Sequence, residues 1–115
     1  MIEEIEKLNS YVNEYYKMKI DVRNGDKLNY LLQKITGLLY YLETERAQIH
    51  DAFQTSIFNG VKDKKTVARS ENEAHVTYPQ MYQLRRIQDA GYRVADAIRT
   101  NISYLKSEKS HSNNQ

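Results

Sequence analysis

LNYLLQKITGLLYYLETERAQI, residues 28–49, places Leu28, Ile35, Leu42 and Ile49 at intervals of seven, and the fold is read outward from this repeat. A second series runs beside it: Leu31/Leu32, Leu38/Leu39, Glu45/Arg46 and Ala52/Phe53, broken only at the charged pair. Side chains seven apart share one stripe of an α-helix. The pattern therefore predicts a long helix over about 27–58 with a coiled-coil-like seam against another helix. Gly37 lies inside it, costs the helix roughly 1 kcal/mol, and offers a place for a close helix crossing.

Toward the N-terminus, Ile2, Ile5, Leu8, Val12, Tyr15, Tyr16 and Ile20 recur every three or four residues and predict a first helix over 2–22. Asn24-Gly25-Asp26 supplies a stop and a new N-cap. Beyond the seam, Asn59-Gly60-Val61-Lys62-Asp63-Lys64-Lys65 reads as a basic connecting loop with Gly60 as the helix stop. A third helical stretch starts near Thr66 and runs to about Lys106, carried by Val67, Ala74, Met81, Leu84, Gly91, Val94, Ile98, Ile102 and Leu105. Pro79 interrupts it, yet the periodicity continues across. This favours a kink or a very tight junction, with Thr77 as a candidate cap. Residues 107–115 are polar and expected to be disordered.

The expected fold class is all-α: one elongated domain, 1–106, a hairpin or bundle of about three helices. In a monomer the long second helix would expose its leucine stripe, so completion by a homo-oligomer is expected. The interface would be Leu28, Leu31, Leu32, Ile35, Leu38, Leu39, Leu42 and Ile49. A three-helix bundle that closes on itself is the alternative.

Composition narrows the functional classes. A chain of 115 residues is one domain, and without cysteine it forms no disulfide or thiolate metal site. One proline and four glycines provide too few turns for a β-sandwich. The longest apolar run, Leu38 to Leu42, is far short of the roughly 20 residues a membrane span needs. The start of the chain is acidic where a signal peptide is basic, so the expected location is the cytoplasm, away from membranes. Ten tyrosines suit half-buried interfaces. Residues 1–60 hold seven Lys/Arg against nine Asp/Glu, and residues 61–115 hold ten against six, so an anionic partner prefers the second half.

No catalytic constellation stands out. His50, His75 and His111 are scattered without metal-ligand spacing, and His50-Asp51 reads as a surface pair. Glu71 and Glu73, two apart, do not share a helix face, and no Gly-rich loop precedes a helix. No cofactor, no metal and no enzyme activity are expected.

A basic, aromatic stripe follows Pro79: Tyr78, Tyr82, Arg85, Arg86, Tyr92, Arg93, Arg99 and Lys106 are linked by helical steps. Guanidinium groups suit phosphates and tyrosine faces suit unstacked bases. The candidate nucleic-acid contacts are Tyr82, Arg85, Arg86, Tyr92, Arg93 and Arg99, extended by Lys62, Lys64, Lys65 and Arg69. The competing reading makes this a solvated face neutralised by Arg85–Asp89 and Asp89–Arg93 bridges.

Lys65-Thr66-Val67, a helical stretch, and then Asp96-Ala97-Ile98-Arg99 resemble the C-terminal helical region of the UvsY-type phage recombination mediators. Ile57-Phe58-Asn59-Gly60 is similar to the aromatic-plus-glycine end of that family's preceding long helix. The resemblance covers about a third of the chain. It implies a phage protein, acting in the host cytoplasm, that forms rings and binds single-stranded DNA. Such a mediator helps a RecA-like recombinase replace the single-strand-binding protein in DNA recombination. The family's basic residues before the aromatic-glycine element correspond to the uncharged Ala52 and Gln54. That shifts the expected contact to Lys62, Lys64, Lys65 and the arginine stripe. A reading from another class is a small helical phage or mobile-element adaptor or inhibitor that works through protein–protein contacts without nucleic acid.

Overall fold

Why each helix begins and ends where it does sets the architecture. The computed structural model describes residues 1–113, and their side chains as far as Lys109. It holds four α-helices, α1 (Ile2–Lys17), α2 (Gly25–Lys62), α3 (Val67–Thr77) and α4 (Gln80–Asn113), and no strand among the described residues.

The first helix is shorter than the expected 2–22. Met18 turns extended and caps the last turn through its N–H to Glu14 O and Tyr15 O. The Asp21 carboxylate then accepts from the Arg23 N–H at 2.9 Å and starts a single tight turn, Val22–Asn24. Gly25 does not act as a stop: it adopts right-handed helical angles and opens α2.

Helix α2 is 38 residues long, about 57 Å at 1.5 Å per residue. It runs past Gly60, which is buried inside the helix, and the stop falls at Lys64, whose φ of 68° is left-handed. Lys64 and Lys65 donate backbone N–H groups to Val61 O and Gly60 O, both at 3.0 Å, and so close the helix end. The third stretch is two helices. The Thr66 hydroxyl caps α3 by accepting from the Arg69 N–H at 3.1 Å. Tyr78, restricted by the following proline, leaves the helical region at φ −123° and ψ 63°. Thr77 donates back to Glu73 O and caps nothing ahead of it.

Helix α2 is the spine. Its N-terminal part packs against α1 and α4, and its C-terminal part against α3. Gly91 faces Leu39 and Leu8, Gln88 reaches Glu43, and Gly60 faces Ser70, so α3 and α4 descend antiparallel to α2 in one continuous register. The Asn101 side-chain amide donates to the Tyr15 hydroxyl at 2.7 Å, which sets α1 parallel to α4. The core joins Leu8 and Val12 of α1, Leu28, Leu31, Ile35, Leu39 and Leu42 of α2, and Leu84, Val94, Ala95, Ile98 and Leu105 of α4.

This corrects the expected sister-chain interface. Leu28, Leu31, Ile35, Leu39 and Leu42 are already buried within the chain, and Leu32, Leu38 and Ile49 are half-buried against the same core. The partner of the seam is the chain's own α4, whose Leu84, Gly91, Ile98 and Leu105 repeat at the same interval of seven. Gly37 is no crossing point either: an added Cβ there would meet nothing within 4 Å. Close approaches occur at Gly60 and Gly91 instead.

The radius of gyration is 19.9 Å, against about 13 Å for a compact domain of this length. The excess comes from the arm of α2 and α3, which extends beyond the three-helix part. Helix α4 continues to Asn113, through most of the stretch expected to be disordered; residues 114–115 lie outside the described ones.

Candidate nucleic-acid interface

With Leu84, Gly91, Ile98 and Leu105 turned inward, helical geometry sends Tyr82, Arg85, Arg86, Asp89, Tyr92, Arg93, Asp96 and Arg99 outward, and all are exposed. The structure therefore brings six of the ten expected contact residues onto one face. Arg99 is tied to Asp96 at 3.0 Å. Arg85, Arg86 and Arg93 have no carboxylate at ion-pairing distance among the described residues. Asp89 sits one turn from both Arg85 and Arg93, yet neither of the bridges that would neutralise the stripe forms.

The other four expected contacts lie elsewhere. Lys62, Lys64, Lys65 and Arg69 cluster at the tip of the α2–α3 arm, about 35 Å of helix from the level of Arg93. Two of them are engaged there: Glu73 accepts from Lys65 Nζ at 2.7 Å and Arg69 Nε at 3.1 Å. These hydrogen bonds hold the Glu73 carboxyl below its usual range, Lys65 contributing most. The tip and the α4 face are two separate basic regions.

Between them, where α2, α3 and α4 meet at the Tyr78–Pro79 break, lies a cleft of about 260 Å³. Arg46, His50, Phe53 and Gln54 line it from α2, His75 from α3, and Met81, Tyr82 and Arg85 from α4. One ring from each helix makes an aromatic cluster. Phe53 and His75 are 4.9 Å apart between centroids, and His75 and Tyr82 are 5.3 Å apart and inclined by 26°. His75 Nδ1 is buried without a hydrogen-bond partner.

Below the cleft, the core changes character. Gln88 is fully buried, its amide donating to Glu43 Oε2 at 3.0 Å, while its oxygen stands 3.5 Å from Arg46 Nη1. The Tyr92 hydroxyl also donates to Glu43 Oε2, at 3.4 Å. Burial pushes the Tyr92 hydroxyl above its usual range, and the neighbouring Glu43 charge adds to this. Glu43 is thus occupied by Gln88 and Tyr92, leaving Arg46 with only the long contact to a neutral amide.

Arg46, Phe53, Gln54 and His75 were not among the residues expected from the sequence. One signal was present: Glu45/Arg46 breaks the apolar seam, and a charged pair at a seam position implies a polar layer. What faces that layer depends on pairing residues more than forty apart, which periodicity does not give. His50 is exposed, as expected. Among the described residues no three His, Asp or Glu side chains converge as metal ligands, and no helix is long and apolar enough to cross a membrane.

No family of known proteins, no curated protein and no solved structure matches the chain.

Proposed function

We propose that this chain is a single-stranded DNA-binding protein whose contact surface is the outward face of α4. The observation that carries the reading is that, among the described residues, Arg85, Arg86 and Arg93 remain unpaired beside Asp89, with Tyr82 and Tyr92 exposed among them. Free guanidinium groups attract phosphates, and flanking tyrosines offer stacking faces to bases of either type. The role is binding, with no reaction attached. The setting in recombination, with a RecA-like recombinase and a single-strand-binding protein as partners, rests on the UvsY-type resemblance alone. Self-assembly loses its motive once the leucine seam is used inside the chain.

Anisotropy of a labelled oligonucleotide tests this. With about three phosphates neutralised, affinity should fall roughly 20-fold between 50 and 200 mM salt. Arg85→Glu, Arg86→Glu and Arg93→Glu together should abolish binding. Salt-insensitive binding, or an unaffected triple variant, would falsify the reading. The second reading, an adaptor acting through protein contacts, draws on Tyr40 and Tyr16, which are 81% and 68% exposed on helices other than α4. It predicts no response to oligonucleotide at any salt.

A further inference from the structure

We infer that the cleft at the α2–α3–α4 junction is the subsite for one unstacked nucleotide of the bound strand. Its base would stack on Tyr82, whose other face rests on His75, and its phosphate would sit between Arg46 and Arg85. The inference rests on the α4 reading and extends it to residues on two other helices.

Several observations converge. The lining carries two guanidinium groups and two imidazoles and no carboxylate, so the cleft favours an anion. Neither guanidinium is neutralised among the described residues: Arg85 has no acidic partner there, and the carboxylate nearest in sequence to Arg46 on its own face, Glu43, is held by Gln88 and Tyr92. The volume of about 260 Å³ lies below the range of pockets for drug-sized ligands and suits a single planar base. The wall is already built from three helices, with His75 stacked on Tyr82 and Phe53 packed against His75 at a tilt of 59°. Arg85 belongs both to this cleft and to the outward face of α4, so a strand lying on α4 reaches the cleft without a gap.

The test is an NMR titration of the full chain with thymidine 5′-monophosphate, with thymidine and with inorganic phosphate. The ring signals of His75 and Tyr82 and the side-chain signals of Arg46 and Arg85 report the outcome. Thymidine monophosphate should shift all four groups together, further than thymidine or phosphate does. Equal shifts from phosphate alone, with thymidine silent, overturn the base seat. In oligonucleotide binding, Tyr82→Leu and Arg46→Gln should each weaken affinity about tenfold, the scale of losing one stacked base or one phosphate contact. Circular dichroism confirms that both variants fold. Arg86→Glu should lower oligonucleotide affinity while leaving the mononucleotide shifts in place. If oligonucleotide binds wild type and Arg46→Gln alike and His75 stays unmoved, the cleft is wrong and the α4 reading stands. If no oligonucleotide binds at all, both fall.

Discussion

At Gly60 an added Cβ would overlap the Ser70 hydroxyl and come within 2.9 Å of Ser70 Cβ, an atom that cannot move without its backbone. At Gly91 the tightest neighbour, also at 2.9 Å, is Leu39 Cδ2, the far end of a side chain that has other rotamers. At Gly37 the space is open. Alanine is the better helix former by about 1 kcal/mol at all three, and overpacking opposes this by about 1–3 kcal/mol where there is contact. Urea unfolding should therefore rank the variants. Gly37→Ala gains about 1 kcal/mol, Gly91→Ala is near neutral, and Gly60→Ala loses stability despite its better propensity. A stabilised Gly60→Ala would mean that α2 and α3 are not in close contact there. None of this ranking was legible in the sequence, where Gly37 looks like the crossing and Gly60 like the stop. A glycine states only that a Cβ is absent, and the reason lies in whatever packs opposite.

Helix α3 is eleven residues long, packs mainly on α2, and has its first turn fastened by Thr66 and by the Lys65–Glu73–Arg69 group. Because the Glu73 carboxyl is held below its ordinary value, its contribution to stability is present above the usual carboxylate range, near pH 4, and fades as pH falls through its lowered value. Asp21, lowered by Arg23 at the start of the Val22–Asn24 turn, behaves alike. Melting temperature followed from pH 7 downward should decline below about pH 4, and Glu73→Gln should flatten part of that decline. The effect should be small, since the pairs are solvent-exposed. A decline of the same size in Glu73→Gln would remove the residue from the account. The helices themselves were legible: a seven-residue repeat over Leu28 to Ile49, a helix start near Thr66 and an interruption at Pro79 all mark real elements. The partner of the seam was not, because a periodic stripe requires a second helix without saying which chain supplies it. The site was half legible for the same reason. The α4 residues share one helix and follow from its period, whereas Arg46 and His75 meet Arg85 only through tertiary pairing.

The whole molecule has two regimes of packing. From Leu28 to about Arg46 the spine has helices on two sides, and beyond that level chiefly one. Local opening costs least where few apolar contacts are lost, so hydrogen exchange should be faster across 50–77 than across 28–45 and 84–105. Uniform protection would contradict the two-regime packing. In solution the chain should have the mass of one copy, 13.6 kDa, by light scattering, since its leucine row is already covered. A stable larger assembly without DNA would point to an interface other than the seam. The break at Tyr78–Pro79 bears on which length changes the protein can tolerate. Ser70 on α3 and Leu84, Gly91, Ile98 and Leu105 on α4 stay in one heptad frame across it, all facing α2. Deleting a single residue there turns α4 by about 100° and puts Arg85, Tyr92, Arg99 and Lys106 where Leu84, Gly91, Ile98 and Leu105 now sit. The two-residue joint thus works as a punctuation mark of fixed length. Related sequences should keep its length constant, or change it by about a whole heptad, even where every residue in it has been replaced.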